Sequence, residues 1–402
     1  MRLSRTTLML AVGVGFFGTA LAQSNEIRIA HIIDKTGAME PYATATNIGL
    51  MMGIEYATQG RMEIAGKKFN VFVRDSMLKP DQGKALLQAA YRDGRADIAV
   101  RPTSSAVALA MLPAARENKK ILMIDAAAAE NLTGHKGNRY VFRTGRNSDH
   151  DGYANAIVHG RADTVIATLA PDYAYGREGI QSFRDALKMT PAKLVHEEYA
   201  PVGNTDFTAQ AQRIFNALKD QPGRKIIWYL WAGPGNPLKI LDQEPKRHGI
   251  EVVTGGNILP ALAGYRALLG SEGATHYYFK CPKNPINDWL IKEHLARHGT
   301  PPDFFTATGM MTGIAIVEAL KKTQGNTDTE TLIKALEGLA FDSPKGRVFF
   351  HPDNHQLMQP MYHFRVNLDP EMDKTATQGV GHDCLREVGI EEMKFPIVKL
   401  KD

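Results

Sequence analysis

From residue 26 onward, short runs of β-branched and apolar residues alternate with stretches whose apolar positions recur at the helical period. The runs predict strands over 27–33, 68–74, 97–100, 121–124, 164–169, 193–199, 226–230 and 251–254. Strands that alternate with helices in this way are typical of parallel sheets covered by helices on both faces. We therefore predict an α/β fold of doubly wound, parallel-rich sheets.

The helical stretches carry recognisable start and stop residues. Over 81–93, Asp81 is the predicted N-cap and Gly94 the stop. A longer amphipathic pattern predicts a helix over 308–322. The residues after His351 are polar, and we expect that last segment to be irregular.

The N-terminus has the three parts of a secretion signal. Arg2 and Arg5 precede an apolar stretch over 8–18, and Ala20-Leu21-Ala22 follows as a cleavage site. The stretch is shorter than the roughly 20 residues that a membrane-spanning helix needs. We expect residues 1–22 to be a cleaved signal peptide, with an uncleaved anchor as the alternative. No Cys stands at or directly after the cleavage site to carry an acyl group. We therefore expect no acyl anchor and no stable membrane insertion of the exported chain.

The length of the chain indicates two lobes. Removing those 22 of the 402 residues leaves 380, which is more than one hydrophobic core usually serves. Glycine and proline punctuation changes near 143–145 and near 273–282, where we predict that the chain crosses between lobes. The predicted lobes are 23–145 plus 278–352, and 146–277 plus 353–402.

Charge and cysteine content narrow the possible partners. The formal net charge is +5 and falls to +3 without Arg2 and Arg5, with basic residues scattered among acidic ones. Neither nucleic acid nor an anionic membrane surface is indicated. Cys281 and Cys384 are the two cysteines, and an oxidising compartment allows a disulfide between them. Two separate buried thiols are the alternative, because spacing alone does not place them within bonding distance.

Ligands of open parallel sheets bind at the carboxyl ends of the strands, where helix N-termini present unpaired N–H groups. The loop after strand 97–100 offers the hydroxyls of Thr103, Ser104 and Ser105 in such a position. They suit a carboxylate, although Ser104 or Ser105 would equally serve as a helix N-cap. After the next strand, Asp125 precedes four alanines, which allow close approach of a ligand or tight helix packing.

Candidates that face this loop follow the later strands. They are an aromatic loop over 171–176 with Tyr175, a turn over 231–235 that begins with Trp231, and the turn Gly255-Gly256-Asn257. Rigid aromatic faces with a few polar groups suit an apolar ring or chain that bears one acid group. Packing in the core is the alternative for each aromatic ring taken alone.

The sequence favours no catalytic or metal site. Ser104 and Ser105 lack the G-x-S-x-G elbow, and no His stands at a comparable strand end to activate them. His351 and His355 have i,i+4 spacing, but Pro352 between them favours a turn over a helical metal pair. We predict a binding protein that is not an enzyme and needs no metal or cofactor.

Five short segments follow one another in a specific order and spacing. They are Thr36-Gly37 with Tyr42, Pro102-Thr103-Ser104-Ser105, Tyr175-Gly176-Arg177-Glu178-Gly179, Thr205-Asp206-Phe207-Thr208 and Pro301-Pro302-Asp303-Phe304. Through them essentially the whole exported chain resembles the Leu/Ile/Val-type family of periplasmic solute receptors for ABC importers. The resemblance implies two α/β lobes, joined by a three-stranded hinge, that close on a ligand. It also implies a location in the periplasm and an ABC transporter permease as partner, and we expect a monomer.

The resemblance carries the contacts of the family onto named positions. The carboxylate seat falls on Ser104, Ser105 and Ala127, and the aromatic contacts fall on Tyr42, Tyr175 and Trp231. The acidic residue that pairs with an amino-acid ammonium is replaced by Asn257, and the hydroxyl that helps it falls near Ala128. Because a buried ammonium without a counter-charge is costly, an amino acid is disfavoured unless Asp125 moves in.

The stretches 145–148 and 255–260 resemble the branch of the family that binds aromatic acids such as benzoate and p-coumarate derivatives. We therefore predict a small carboxylate ligand of the benzoate or hydroxycinnamate type. A branched-chain amino acid or amide is the first alternative, and a ligand sensor for a membrane receptor is the second. Arg101 stands where the family commonly has Gly, and it either reaches the ligand or points to solvent. Arg146 poses the same question.

Overall fold

The computed structural model describes residues 25–101, 103–233, 235–373 and 375–400. The predicted signal peptide over 1–22 lies outside the described residues. Within the described ranges, no helix combines the length and the apolar character needed to cross a membrane.

The first part of the chain folds into a six-stranded sheet. Its strands are β1 (Glu26–Ile33), β2 (Glu63–Ile64), β3 (Lys67–Asp75), β4 (Ile98–Arg101), β5 (Ile121–Ile124) and β6 (Val141–Arg143). They lie in the order β2-β3-β1-β4-β5-β6, and each neighbouring pair is parallel except β2 with β3. The helices of this part are α1 (Glu40–Ala57), α2 (Pro80–Arg92) and α3 (Ser105–Asn118). Strands β4 and β5 are entirely buried, as expected for a parallel sheet that is covered on both faces.

The middle of the chain forms a second sheet that is wholly parallel. Its elements are α4 (Ser148–His159), β7 (Thr164–Pro171), α5 (Ala174–Leu187), β8 (Lys193–Ala200), α6 (Thr208–Leu218), β9 (Arg224–Tyr229) and β10 (Ile250–Thr254). The strand order is β10-β9-β7-β8. Each residue of β7 is buried, so this sheet is also covered on both faces.

The last part of the chain completes both halves. It contains β11 (Glu272–Thr275), α7 (Pro285–His298), α8 (Phe304–Lys322), α9 (Thr329–Leu336), β12 (Ala340–Ser343), β13 (Gly346–Phe350), β14 (Leu357–Met358), β15 (Met361–Leu368), β16 (Val380–Val388) and α10 (Ile390–Met393). Short 3-10 helices lie at Glu130–Leu132, Pro237–Gln243, Pro245–His248, Leu259–Leu268 and Pro370–Met372. Two antiparallel sheets form from β11, β15 and β16, and from β12, β13 and β14.

The predicted α/β fold class with parallel-rich sheets is confirmed. The eight predicted strands correspond to β1, β3, β4, β5, β7, β8, β9 and β10, with ends that differ by at most two residues. Asp81 is not the N-cap of α2, because Pro80 starts the helix and Lys79 is the cap residue. Proline suits the first helical position, where a backbone N–H has no intrahelical partner. The helix predicted over 308–322 starts earlier, at Phe304.

The prediction of an irregular segment after His351 is wrong. Strands β15 and β16 pair antiparallel along their whole length. In β15, Phe364 and Val366 are buried, whereas Arg365 and Asn367 point to solvent. A strand with one solvated face alternates polar and apolar residues. Strand β15 therefore lacks the continuous apolar run on which the strand predictions relied.

The segments after β6, after β11, and between β14 and β15 each lead from one sheet to another, and we refer to them as the first, second and third crossings. Arg143, the last residue of β6, ties the first of these crossings to the third. Its fully buried guanidinium donates to Gln356 Oε1 (2.5 Å), to the carbonyl of Ala129 (2.6 Å) and to the hydroxyl of Thr133. Gln356 Nε2 in turn donates to the carbonyl of Gly145 (2.8 Å). Burial lowers the pKa of Arg143 to about 10.

Helices α1 and α8 pack backbone against backbone. A Cβ atom on Gly53 would lie 2.2 Å from the carbonyl oxygen of Met310, and one on Gly309 would lie 2.2 Å from that of Thr46. Real Cβ atoms do not come so close to other atoms, so any side chain at these positions forces the helices apart.

Cys281, which follows β11, forms a disulfide with Cys384 of β16, and the two residues are 103 positions apart. The bond therefore closes a long loop that contains helices α7 to α9. Loops of this length lose much conformational entropy in the unfolded chain when they are cross-linked.

We expect Gly53→Ala to lower the free energy of unfolding by about 1–3 kcal/mol, because overpacking at the helix crossing outweighs the better helix propensity of alanine. Urea unfolding followed by circular dichroism measures the change. Arg116→Ala on the exposed face of α3 is the control. Equal or greater stability of the Gly53 variant would contradict the close packing.

We expect the double variant Cys281→Ala/Cys384→Ala to lose about 2–5 kcal/mol of unfolding free energy, because its unfolded chain is no longer constrained. Guanidinium unfolding of both proteins, with and without a reducing agent, measures the loss. Reductant should destabilise the wild type and leave the variant unchanged; an unchanged wild-type midpoint would argue against the bond.

Candidate functional site

A narrow cavity of about 30 Å³ lies where the ends of β9 and β10 face the first crossing and the start of α8. Its lining comprises Arg146, Asp151, Asn155, Tyr175, Leu230, Trp231, Thr254, Gly255, Gly256, His276 and Phe304. Gly256 has φ +85°, a left-handed conformation that glycine adopts without strain. The carboxyl ends of parallel strands, where this cavity lies, are the place at which open α/β folds bind ligands.

Aromatic rings form the walls of this cavity. Tyr175 and Trp231, which the sequence placed on separate loops, both line it. Tyr42 of α1 approaches the turn that begins with Trp231. The Gly233 N–H in that turn faces the Tyr42 hydroxyl. The Tyr42 ring stacks on Phe305 with a centroid distance of 4.8 Å. Burial raises the pKa of Tyr42 to about 12, so its hydroxyl stays protonated and can donate a hydrogen bond.

Arg146 and Asp151 place an ion pair on the cavity. Arg146 Nε donates to Asp151 Oδ1 at 3.3 Å, and the second oxygen lies 3.2 Å from Nη2. Nη1 donates to the carbonyl of Ala126 at 3.3 Å. A capping box, in which Asn147 accepts from the His150 N–H, starts α4 directly after Arg146 and fixes the turn that carries the guanidinium. Arg146 is therefore buried and lines the cavity, so the alternative that it points to solvent is wrong.

His276 and Lys345 lie next to this pair and carry no signal in the sequence. The Oγ1 of Thr308 lies 3.4 Å from Nε2 of His276. Burial, together with the charges of Arg146 and Lys345, lowers the pKa of His276 well below its ordinary value, so the ring is neutral. The Lys345 Nζ atom is buried and donates to Gln359 Oε1 at 2.8 Å, and burial lowers the pKa of Lys345 well below its ordinary value.

In the Thr103–Ser105 loop the two serines use their polar groups within the chain, whereas the buried Thr103 Oγ1 has no hydrogen-bond partner among the described residues. The Ser104 N–H donates to Asp34 Oδ2 at 2.9 Å, and the Ser104 hydroxyl caps α3 by accepting from the Val107 N–H. The Ser105 hydroxyl accepts from the Ala129 N–H at 3.2 Å. The N-cap interpretation thus applies to Ser104. None of the three loop residues lines the cavity described above.

Arg101 is completely buried, so the alternative that it points to solvent is wrong. Its Nη2 donates to the Ser104 carbonyl at 3.2 Å. Burial lowers the pKa of Arg101 to about 9 against the opposing effect of Asp125 and Asp34. Asp125 Oδ2 lies 3.4 Å from His31 Nε2. Arg101 and Asp125 therefore belong to a buried charge cluster beneath the loop, outside the cavity lining.

The remaining predicted residues lie close to the cavity without lining it. Ala127 and Ala128 are buried, and the Ala128 carbonyl accepts from the Ser148 N–H (2.7 Å), which joins this loop to α4. Asn257 Oδ1 accepts from the N–H of Ile258 at 2.8 Å. Four residues of the lining were not predicted, because they come from segments that are far apart in the sequence and meet only in the folded protein. They are Asp151, Asn155, His276 and Phe304.

Carboxylates also gather where the first half touches the second. The Asn131 N–H donates to Glu178 Oε2 at 3.0 Å. Burial, followed by the charge of Asp149, raises the pKa of the adjacent Glu130 to about 7, with Arg143 opposing and Glu178 adding to the effect. Glu130 is therefore partly protonated near neutral pH when the halves are in contact. Among the described residues, no group of three or more His, Cys, Asp or Glu side chains could hold a metal ion.

Comparisons with known proteins agree on one family. The sequence model for periplasmic binding proteins matches residues 26–375. A solved structure from Rhodopseudomonas palustris CGA009, described as an ABC-type branched-chain amino acid transporter, is 54% identical, covers 94% of this chain and 100% of its own, and has a TM-score of 0.84. A solute-binding protein from R. palustris BisB5, in complex with 3,4-dihydroxybenzoic acid, is 24% identical with coverages of 94% and 99% and a TM-score of 0.78, a likeness of fold.

A curated relative matches over a shorter stretch. Leu/Ile/Val-binding protein homolog 6 of Brucella abortus is 25% identical over 207 residues, which are 49% of this chain and 51% of that protein. The chain thus spans about half the length of that curated relative.

We expect Glu130→Gln to raise the thermal midpoint by roughly 2 °C at about pH 8 and to match the wild type near pH 5. The raised pKa means that Glu130 favours the folded protein below about pH 4.5 and that this contribution is lost as the pH rises through about 7. Thermal unfolding across this range measures the effect, with exposed Glu117→Gln as control. A difference that does not depend on pH would contradict the assignment.

Proposed function

This chain belongs to the periplasmic binding protein family, and from this premise we propose that it captures a small aromatic or otherwise apolar carboxylate and delivers it to the permease of an ABC importer. The family consists of transport proteins rather than enzymes. In this proposal the protein acts as a monomer in the periplasm. Its lobes, 23–145 plus 278–352 and 146–277 plus 353–402, close over the ligand.

The single observation that carries this proposal is the combination of aromatic walls and a guanidinium in one cavity. Tyr175, Trp231 and Phe304 offer apolar faces, and Arg146 offers charged N–H donors between them. Apolar surfaces favour a ring or hydrocarbon chain, while a guanidinium fork matches a carboxylate. A small organic acid satisfies both features at once.

The size of the cavity supports capture by closure. Its volume of about 30 Å³ is far below that of the cavities of about 150 Å³ that hold a benzene ring. A ring-sized ligand therefore enters only when the walls separate. Because Tyr42 reaches the Trp231 turn from the other half of the chain, a hinge motion that parts the halves also opens the aromatic wall.

Related solute-binding proteins guide the choice of test ligands. One with the same fold holds 3,4-dihydroxybenzoic acid, and another holds benzoate. These ligands are those of the neighbouring proteins, and they support benzoates as the first class of acid to test on this chain.

A branched-chain amino acid is the second candidate, and one observation favours it. Asp151 lies beside Arg146 in the cavity lining and supplies the counter-charge that an ammonium needs. Asn257 is neutral, and Asp125 is not among the residues that line the cavity, so neither offers that charge. The 54%-identical relative is described as a branched-chain amino acid transporter, which makes leucine, isoleucine and valine the matched comparison.

We expect 4-hydroxybenzoate or p-coumarate to raise the thermal midpoint of the exported protein and leucine, isoleucine and valine to leave it unchanged. A ligand at 100 times its dissociation constant adds about 2.7 kcal/mol of stability, which a fluorescence melting assay detects. Stabilisation by the amino acids alone would replace the carboxylate proposal with the second candidate. Absence of stabilisation by every acid in the panel would reject it.

Matched tryptophan variants locate the binding site in the same assay. Trp231→Ala should abolish the ligand-induced shift, because this ring lines the cavity. Trp289→Ala on α7, whose ring packs against Tyr56 instead, should retain it. Loss of the shift in both variants would indicate a general loss of stability rather than a lost contact.

A further inference from the structure

We infer that the ligand carboxylate binds Arg146 at the first crossing and not the Thr103–Ser105 loop, because the chain's own Asp34 already occupies that loop. This inference rests on the proposed function. It assigns Arg146 as the residue that distinguishes an acid from its uncharged analogue.

Asp34 takes the place of an anion at the N-terminus of α3. It directly follows β1 and is completely buried. Its Oδ2 accepts from the Ser104 N–H at 2.9 Å, and the Thr103 N–H also faces the carboxylate. The other oxygen accepts from the Ser76 hydroxyl. A helix N-terminus attracts one anion through such N–H groups, and here that anion is part of the protein.

The charges beneath the loop exclude a second anion. Asp34 and Asp125 supply two carboxylates, while Arg101 is the guanidinium that acts on both. Arg101 itself is directed to the Ser104 carbonyl. A ligand carboxylate brought to the Ser104 N–H would displace Asp34 or lie against it in a buried environment where like charges repel strongly.

Arg146 retains the capacity to bind an acid. Its hydrogen bonds to Asp151 and Ala126 use two of its five N–H groups, and both are long at 3.3 Å. Strong guanidinium–carboxylate bonds are shorter, at about 2.7–2.9 Å. The buried Lys345 adds a second basic group close enough to act on Asp151. Its Nζ atom donates to Gln359, and burial lowers the pKa of Lys345 well below its ordinary value, which leaves Arg146 as the charged basic side chain on the cavity lining.

These contacts fix the orientation of the ligand. The carboxylate lies toward the crossing, and the ring lies between Tyr175, Trp231 and Phe304. Asp151 acts as a positioning residue, because its long contacts hold the guanidinium at the cavity until a ligand arrives. The proposal thus predicts that acid and amide forms of one ring are separated by Arg146 alone.

The test compares the dissociation constants of 4-hydroxybenzoate and 4-hydroxybenzamide by isothermal titration calorimetry. Arg146→Gln should weaken binding of the acid by about 100-fold or more and change binding of the amide by less than about threefold. Arg146→Lys should restore part of the acid affinity, since the charge returns without the bidentate fork. Because Arg146→Gln leaves Asp151 buried and unpaired, the double variant Arg146→Gln/Asp151→Asn repeats the measurement in a neutral site.

Variants of the loop provide the matched comparison. Ser105→Ala and Asp34→Asn should each keep the ratio of acid to amide affinity within about threefold of the wild type. If the loop holds the carboxylate, Asp34→Asn instead strengthens acid binding by removing a like charge, and Arg146→Gln leaves the ratio intact. That pattern would overturn the inference.

The outcomes separate this inference from the proposed function. When the acids stabilise the wild type, and Arg146→Gln and Arg146→Gln/Asp151→Asn both preserve the ratio of acid to amide affinity, only the inference fails. When no acid stabilises the wild type, the proposed function fails and the inference falls with it. Collapse of the ratio of acid to amide affinity toward one in Arg146→Gln and in Arg146→Gln/Asp151→Asn, with folding verified by circular dichroism, supports it.

Discussion

The buried guanidinium of Arg143 is the constraint on which the crossing region depends. A fully buried charge is stable only when its donors are satisfied. Arg143 meets this condition with oxygens from Ala129, Thr133 and Gln356, which come from the first half and from the chain just before the third crossing. Loss of any one partner would leave a donor unpaired away from water. The crossing is therefore fixed more firmly than the surfaces that face each other across the cavity.

This fixed crossing determines where the site forms. Three residues after Arg143, Arg146 stands at the start of α4, whose capping box leaves the backbone little freedom. The guanidinium consequently faces the ends of β9 and β10, where Trp231 and the Gly255-Gly256 turn complete the lining. The cavity thus depends on two arginines in one short segment. Arg143 holds the backbone, and that backbone holds Arg146 on the cavity lining.

Much of the fold could be predicted because its strands are buried on both faces and appear as apolar runs. The ends of the helices were harder, as Pro80 shows, since a good N-cap residue at Asp81 competes with a proline that fits the first turn. Strand β15 escaped because its solvated face carries Arg365 and Asn367. In the site, Tyr175 and Trp231 follow strands and were predictable. His276 and Phe304 meet them only through tertiary packing, which no local pattern reports.

The contacts between the halves differ in kind from those at the crossing. Asn131 donates its N–H to Glu178 (3.0 Å), and Leu259 donates its N–H to Asp303 (2.7 Å), so each joins one backbone N–H to one carboxylate. Burial raises the pKa of Asp303 to about 6, which means that the closed contact holds its charge at a cost. A hydrogen bond to a charged carboxylate contributes about 1.5–3 kcal/mol. In the lobe closure that we propose, opening breaks these two contacts, and binding energy from a ligand favours the closed arrangement that contains them.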